Sequence, residues 1–297
     1  MRAAMIGLGN LGGRMAVRLR DYGIAMVGFD VRDERAEELG IPAAETIAEA
    51  AEAGTVLLSL PSDAAITEVV VGPGGLTETA PAGLTVVDLS TASPSRSRAH
   101  HATLAERGID FLDAGVSGGP PRAETGTLTL MVGGDAAALE RVRPVLDGIG
   151  SAIHHFGEPG KGHAAKLVNN YLNGISLAAT AEAMVVGVKA GLEPEQLLEV
   201  LNSSTGQNWA TQNRFPSIIA GDYQEGGLSN RLMAKDLDLY LAFADETAAP
   251  TVLGASCRAV FGIAMASGYE HRISNTVVDA LGDIAGGVRI QSEPKEE

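Results

Sequence analysis

Short apolar runs alternate, along the first half of the chain, with stretches whose charged residues recur at helical spacing. Ala3–Ile6, Ile24–Phe29, Thr55–Leu60 and Thr85–Leu89 are apolar and bounded by Gly, Asp or Pro, the pattern of buried strands. Between them Asp33–Leu39, Thr46–Ala53 and Pro94–Arg107 read as helices. Ile109–Asp113, Leu128–Val132 and Ile153–Phe156 read as further strands, with a helix at Ala136–Leu146. Such alternation predicts a parallel sheet with right-handed crossovers, a doubly wound α/β domain.

After Gly162 the pattern changes. His163 to Ala190 contains no Pro and two Gly in 28 residues, and apolar side chains cover almost every face. That predicts one helix of roughly 42 Å, which must be buried or packed between layers. Pro194–Asn202, Leu228–Asp245 and Thr251–Ser267 are helical in pattern too, and the charged stretch after about Arg289 reads as a frayed end. Neither an internal repeat nor a low-complexity segment interrupts this order.

Composition narrows the possible partners. Among 297 residues, 22 basic against 37 acidic side chains give a net charge of −15. That balance disfavours a phosphate backbone or an anionic membrane surface, so neither nucleic acid nor membrane is expected as a partner. The single cysteine, Cys257, excludes an internal disulfide framework and a Cys-rich zinc site, and no metal is expected. Gly7 arrives too soon after Met1 for a signal peptide. No uncharged run approaches the ~18 residues of a membrane span, so a soluble, cytoplasmic protein is expected.

Gly7-Leu8-Gly9-Asn10-Leu11-Gly12 directly follows the first strand and opens a helix. The first glycine of such a loop permits a tight turn, the second lets backbone approach a pyrophosphate, and the third lets helix and strand pack closely. Asp30, 18 residues beyond Gly12, ends the second strand where a ribose-binding acid belongs. The expected organisation is therefore an N-terminal Rossmann domain over residues 1–160. An all-α domain for substrate and assembly follows over 161–297, entered by the long interdomain helix. Asp30 favours NAD over NADP, because a carboxylate accepts from both ribose hydroxyls and repels a 2′-phosphate. Arg32 either softens that repulsion or lies in solvent.

Chemistry points to Gly160-Lys161-Gly162-His163-Ala164-Ala165-Lys166-Leu167-Val168-Asn169-Asn170. In a helix starting near Gly162, Lys166 and Asn170 are i and i+4 and share a face. The helix N-terminus, burial in a cleft and an oxidised nicotinamide would each lower the lysine from its reference of ~10.4 toward the range of a base.

With these residues in place, the chain resembles the β-hydroxyacid dehydrogenases, the family of 3-hydroxyisobutyrate dehydrogenase and tartronate semialdehyde reductase. Four family motifs occur in order. The first is the Gly7–Gly12 cofactor loop. The second is the substrate loop Asp113-Ala114-Gly115-Val116-Ser117-Gly118-Gly119, running on to Gly126-Thr127-Leu128-Thr129-Leu130-Met131-Val132-Gly133-Gly134. The third is Gly160-x-Gly162-x-x-x-Lys166-x-x-x-Asn170, and the fourth Lys235-Asp236-Leu237. The resemblance implies an NAD(P)-dependent enzyme oxidising a small 3-hydroxy acid, as a homodimer or homotetramer. It makes Lys166 the catalytic acid/base, without a metal, and Asn170 the residue that holds substrate beside it. Backbone N–H groups of Ser117, Gly118 and Gly119 would bind the substrate carboxylate, and Lys235 would lie against nicotinamide and substrate. Leu60, Pro61, Ser90 and Thr91 fall at the nicotinamide half.

Some positions stay open. Trp209 is either a substrate-side wall or a core tryptophan. His163, one turn before Lys166, either contacts substrate or, the favoured reading, serves the helix start as a capping or packing group. Arg122 stands where the family commonly has Gly or Ala. It either adds a cation at the substrate mouth, points to solvent, or pairs with Glu124 or another acid. A 6-phosphogluconate-dehydrogenase-like enzyme, an imine reductase and a non-catalytic binding protein of this fold are the competing readings. The first lacks its cluster of basic residues here, and Lys166 counts against the other two.

Overall fold

The computed structural model describes residues 1–223 and 227–291. The chain divides into two compact units, Met1–Lys166 and Leu167–Glu297.

The first unit is built on one seven-stranded sheet in the order β2-β1-β3-β4-β5-β6-β7. Its strands are β1 (Arg2–Ile6), β2 (Ala25–Phe29), β3 (Thr55–Leu58), β4 (Thr85–Asp88), β5 (Asp110–Ser117), β6 (Leu128–Gly133) and β7 (Gly150–His155). Every predicted strand is present. Successive residues face opposite sides of a sheet, so Ala3 and Met5 join one buried cluster with Met15, Leu19, Val142 and Leu146. Ala4 and Ile6 join another with Ile66, Val70 and Leu104 on the other face. Coverage of both faces explains why the strands read as continuous apolar runs rather than alternating ones.

The sheet is parallel as expected except at one place. β5 and β6 are antiparallel, with Asp113 opposite Gly133, Gly115 opposite Met131 and Ser117 opposite Thr129. The segment read as a substrate loop is therefore strand as far as Ser117, paired with the glycine-bounded run that follows it in sequence. The turn between them holds the helix Gly119–Thr125, too short for a parallel crossover.

In the second unit, Leu177, Ala181 and Met184 of the Lys161–Lys189 helix pack with Phe215, Phe261, Met233 and Val277. Pro194–Ser203, Asn230–Glu246, Val252–Ala264 and Val277–Ile284 are further helices of this unit. The long helix is not buried on every side as its composition suggested: Val168, Leu172 and Val186 are 45%, 57% and 68% exposed. By length and composition alone, Lys161–Lys189 and Val252–Tyr269 are apolar enough to cross a membrane, although the first carries part of this unit's core. Residues 292–297 of the charged terminal stretch lie outside the described residues. The part that is described is not frayed: Ile290 is buried in the core of this unit and Arg289 pairs with Asp283.

Candidate active site

The Gly7–Gly12 loop has the shape its glycines dictate. Gly7 has φ +91°, which only glycine adopts freely. A Cβ on Gly12 would run into the Gly7 carbonyl, whereas one on Gly9 would meet nothing within 4 Å. The Asn10–Asp21 helix begins at Gly9 without a side-chain cap, so its first N–H groups face the open side of Gly9. This cradle fits a pyrophosphate. At the end of β2, Asp30 accepts from Leu8 N–H at 2.7 Å and from Arg32 N–H at 3.0 Å. Arg32 is mostly exposed, with its Nε 3.7 Å from Asp30. Asp30 also lines a cavity of about 310 Å³ together with Gly28, Phe29, Asp33, Ala44 and Glu45. Asp33 and Glu45 were not singled out by sequence, since neither belongs to a motif. On the far side of β1, Leu60 N–H donates to Ser90 Oγ at 2.9 Å, which fixes the Leu60-Pro61 turn beside Thr91.

The lysine motif is locked to β5. Asp113 is fully buried and accepts from Gly160 N–H and His163 N–H, both at 2.7 Å, so it holds the first turn of the Lys161–Lys189 helix. Gly162 packs where a Cβ would meet the backbone of Asp113, Met131 and Gly133. One turn on, Lys166 is 8% exposed. Its stem lies over Gly115, where any Cβ would overlap Lys166 Cβ and stand 2.8 Å from its Cγ. The glycines of the two motifs are thus contact points between one strand and one helix. Asp113 was visible only as the first letter of a motif; its capping role needed the fold.

Beyond Ser117, Gly118 and Gly119 take positive φ of 132° and 69°. Arg122 is exposed on the following short helix, and Glu124 pairs with Arg14 at 2.8 Å rather than with Arg122.

Within the second unit, Asn170 is buried and donates through Nδ2 to Asp236 Oδ2 at 2.6 Å. The other oxygen of Asp236 lies 3.1 Å from Lys235 Nζ. Asp236 thus holds both residues of the motif pair, a role not assigned to it from sequence. Trp209 is 54% exposed, which excludes the core reading, and lies under the Arg214 guanidinium at 5.3 Å.

Residues 2–157 match the model of the NAD binding domain of 6-phosphogluconate dehydrogenase, and 160–281 that of the NAD-binding domain of NADP-dependent 3-hydroxyisobutyrate dehydrogenase. The 2-(hydroxymethyl)glutarate dehydrogenase of Eubacterium barkeri is 39% identical over 91% of this chain and 92% of its own. The NAD-dependent L-serine dehydrogenase of Pseudomonas aeruginosa is 37% identical over 96% and 98%. Mycobacterium tuberculosis 3-hydroxyisobutyrate dehydrogenase with L-serine superposes at a TM-score of 0.86, with 32% identity over 94% of this chain and 98% of that one. The chain belongs to the 3-hydroxyisobutyrate dehydrogenase family.

As a member of this family it is an NAD(P)-dependent oxidoreductase of hydroxy acids. Two buried polar groups of this dehydrogenase, His163 and Asp88, are close enough to interact electrostatically. His163 is fully buried, with Nδ1 2.7 Å from Ser97 Oγ. Asp88 is buried at the end of β4 and accepts from Ser90 N–H at 3.0 Å. Burial pushes the Asp88 carboxyl above its ordinary range, with nearby Asp113 adding to the effect and His163 and the Ser90 hydrogen bonds opposing it. A raised folded-state value means that stability is full below 3.8, the unfolded value, and falls as pH climbs through the folded value. Asp88→Asn keeps an acceptor for Ser90 and removes the buried charge. It should therefore stabilise the protein by on the order of 1 kcal/mol at pH 8, and by less toward pH 4. Thermal melts at both values check this; a variant no more stable at pH 8 than wild type refutes it.

Two further titratable groups have structural surroundings. His155 Nε2 contacts Gly134 O at 2.8 Å, and burial pushes the Cys257 thiol up to about 12.

Proposed function

We propose that this dehydrogenase oxidises small 3-hydroxy carboxylic acids with NAD, with Lys166 as the proton acceptor. The observation that carries the reading is the lysine itself, buried on a helix whose start is capped by Asp113 and whose stem has room only because residue 115 is glycine. A stem packed this way limits where the ammonium can reach, and restricted reach is the positioning that general base catalysis needs.

Bound nicotinamide supplies the hydride acceptor. The chain's own residues do the rest. Lys166 takes the substrate hydroxyl proton, and in the reverse direction returns it to the developing alkoxide. Asn170, oriented by Asp236, holds the substrate oxygen, and Lys235 adds positive charge from the same motif pair. Backbone N–H groups at Ser117, Gly118 and Gly119 receive the carboxylate, since glycines there leave the backbone uncovered. The relatives' names, 2-(hydroxymethyl)glutarate and L-serine dehydrogenases, support a carboxylate and a hydroxyl on neighbouring carbons.

NAD preference is supported by the acidic lining of the ribose-side cavity: Asp30 is joined by Asp33 and Glu45, and each repels a 2′-phosphate. The exposed apolar side chains of the α unit, Val168, Leu172, Val186 and Val200 among them, support assembly into a homodimer or homotetramer. The net charge of −15 supports a soluble, cytoplasmic enzyme.

The test is NADH formation with 3-hydroxyisobutyrate, 3-hydroxypropionate, serine and glycerate, each with NAD and with NADP. Turnover of at least one acid, with higher kcat/KM for NAD, is expected, and Asp30→Ala should narrow the preference by about tenfold, a single lost charged hydrogen bond. Higher kcat/KM with NADP in the wild type contradicts the cofactor assignment. Equal turnover of amide or alcohol analogues contradicts the substrate assignment.

A further inference from the structure

Arg122 stands on the Gly119–Thr125 helix, four residues after Gly118. Helical side chains tilt toward the N-terminal end of their helix, and this one lies back over Gly118. A Cβ on Gly118 would stand 2.8 Å from Arg122 Cβ, 3.2 Å from its Cγ and 2.6 Å from its Cδ. The stem therefore fills the face that the missing side chain leaves open, from its root to the carbon that bears the guanidinium. Gly118 has φ +132°, so its backbone as well as this contact depends on glycine. Among the described residues Arg122 makes no ion pair, and Glu124, two residues on, is held by Arg14 at 2.8 Å. In a chain with 37 acidic side chains, this cation is kept clear of them.

Its neighbours in the first unit are the groups of the proposed chemistry. Gly115 and Ser117 are two apart on β5, so they face the same side of the sheet about 7 Å from each other. Lys166 covers Gly115 on that side. The loop proposed for the substrate carboxylate starts at Ser117, and it is open: Gly118 is exposed, and Ser117 and Gly119 are half-buried. Arg122 is exposed as well. Lys166, the loop and Arg122 thus follow one another at the end of one strand, all within Met1–Lys166.

We propose that Arg122 is a specificity-determining residue, whose guanidinium pairs with the carboxylate received by the Ser117–Gly119 backbone and so selects acids over neutral analogues. A guanidinium matches the two oxygens of a carboxylate with two parallel donors. The proposal rests on the hydroxy-acid reading above. The competing account makes Arg122 a stem that pins Gly118, with its charge left in water.

Four variants of the full-length protein separate the two. Arg122→Ala removes stem and charge, and Arg122→Met keeps an unbranched stem without the charge. Arg122→Lys keeps the charge without the fork, and Arg107→Ala removes an exposed charge elsewhere. Positions 107 and 122 are exposed, so each variant should fold. The readouts are KM and kcat for the hydroxy acids, and calorimetric Kd, with NAD bound, for isobutyrate and isobutyramide. These two are unreactive, similar in shape and different in charge.

Wild type should bind isobutyrate more tightly than isobutyramide. Arg122→Ala and Arg122→Met should both raise KM for the acids and Kd for isobutyrate by about tenfold, with kcat within about twofold. That is the low end for a hydrogen bond to a charged group, because the pair is exposed. Arg122→Lys should lose less, and isobutyramide should bind all variants alike. Raising ionic strength from about 0.05 to about 0.5 M should weaken isobutyrate binding in wild type relative to Arg122→Met. Four results each overturn the proposal: Arg122→Met as tight as wild type, equal losses for isobutyrate and isobutyramide, a loss in Arg107→Ala equal to that in Arg122→Ala, or no preference for isobutyrate in wild type. If no hydroxy acid is turned over, the hydroxy-acid reading fails, and the isobutyrate comparison still decides Arg122.

Discussion

Lys166→Ala is expected to abolish useful turnover, lowering kcat by roughly 10²–10⁴-fold or more, while NAD affinity stays within a few fold. Alanine removes the only group proposed to take the hydroxyl proton. The cofactor cradle at Gly7–Gly12 and Asp30 is built at the ends of β1 and β2, whereas the start of the lysine motif is tied to Asp113 on β5. The helix also tolerates alanine well, so the loss should not come from unfolding. NADH formation and cofactor titration on the same preparation check both halves. A folded Lys166→Ala protein with near-wild-type kcat would remove Lys166 from the mechanism.

Gly115→Ala should be almost as damaging, with one methyl group added to a buried strand. Its Cβ would overlap Lys166 Cβ, an atom that cannot swing away because it belongs to the helix. Either β5 or the helix start must shift, and both are held by the Asp113 bonds to Gly160 and His163. Overpacking of this kind costs about 1–3 kcal/mol of stability. Displacing the reacting group by about 1 Å is enough to lower kcat by roughly 10²-fold. Circular dichroism and NAD titration should remain close to wild type. A kcat within threefold of wild type in the folded variant would mean that the close packing at Gly115 does not position the lysine.

Other groups were legible by type but not by role. Trp209 left two readings open, and the structure decided against the core because the indole is half exposed over Arg214. Arg214 itself carried no signal in sequence, since its bonds to Asn173, Ser274 and Asn275 span 41 to 61 residues. Asp236 stood inside a quoted motif, yet its bond to Asn170 spans 66 residues.

The sequence by itself determined the elements and the order in which they are strung. Strands β1, β3 and β4 are near-continuous apolar runs because both faces of the sheet are covered there, and the dinucleotide cradle follows from three local glycines and one acid 18 residues on. These are short-range properties, since strand burial, turn geometry and helix starts each depend on a few consecutive residues. Only the tertiary structure decided that β5 and β6 run antiparallel, that Asp113 caps the lysine helix, and that Gly115 makes room for Lys166. Each of these joins residues from 12 to 51 positions apart. Pairing direction and close packing are set by which surfaces meet after collapse, and no local pattern of hydrophobic and polar positions encodes that.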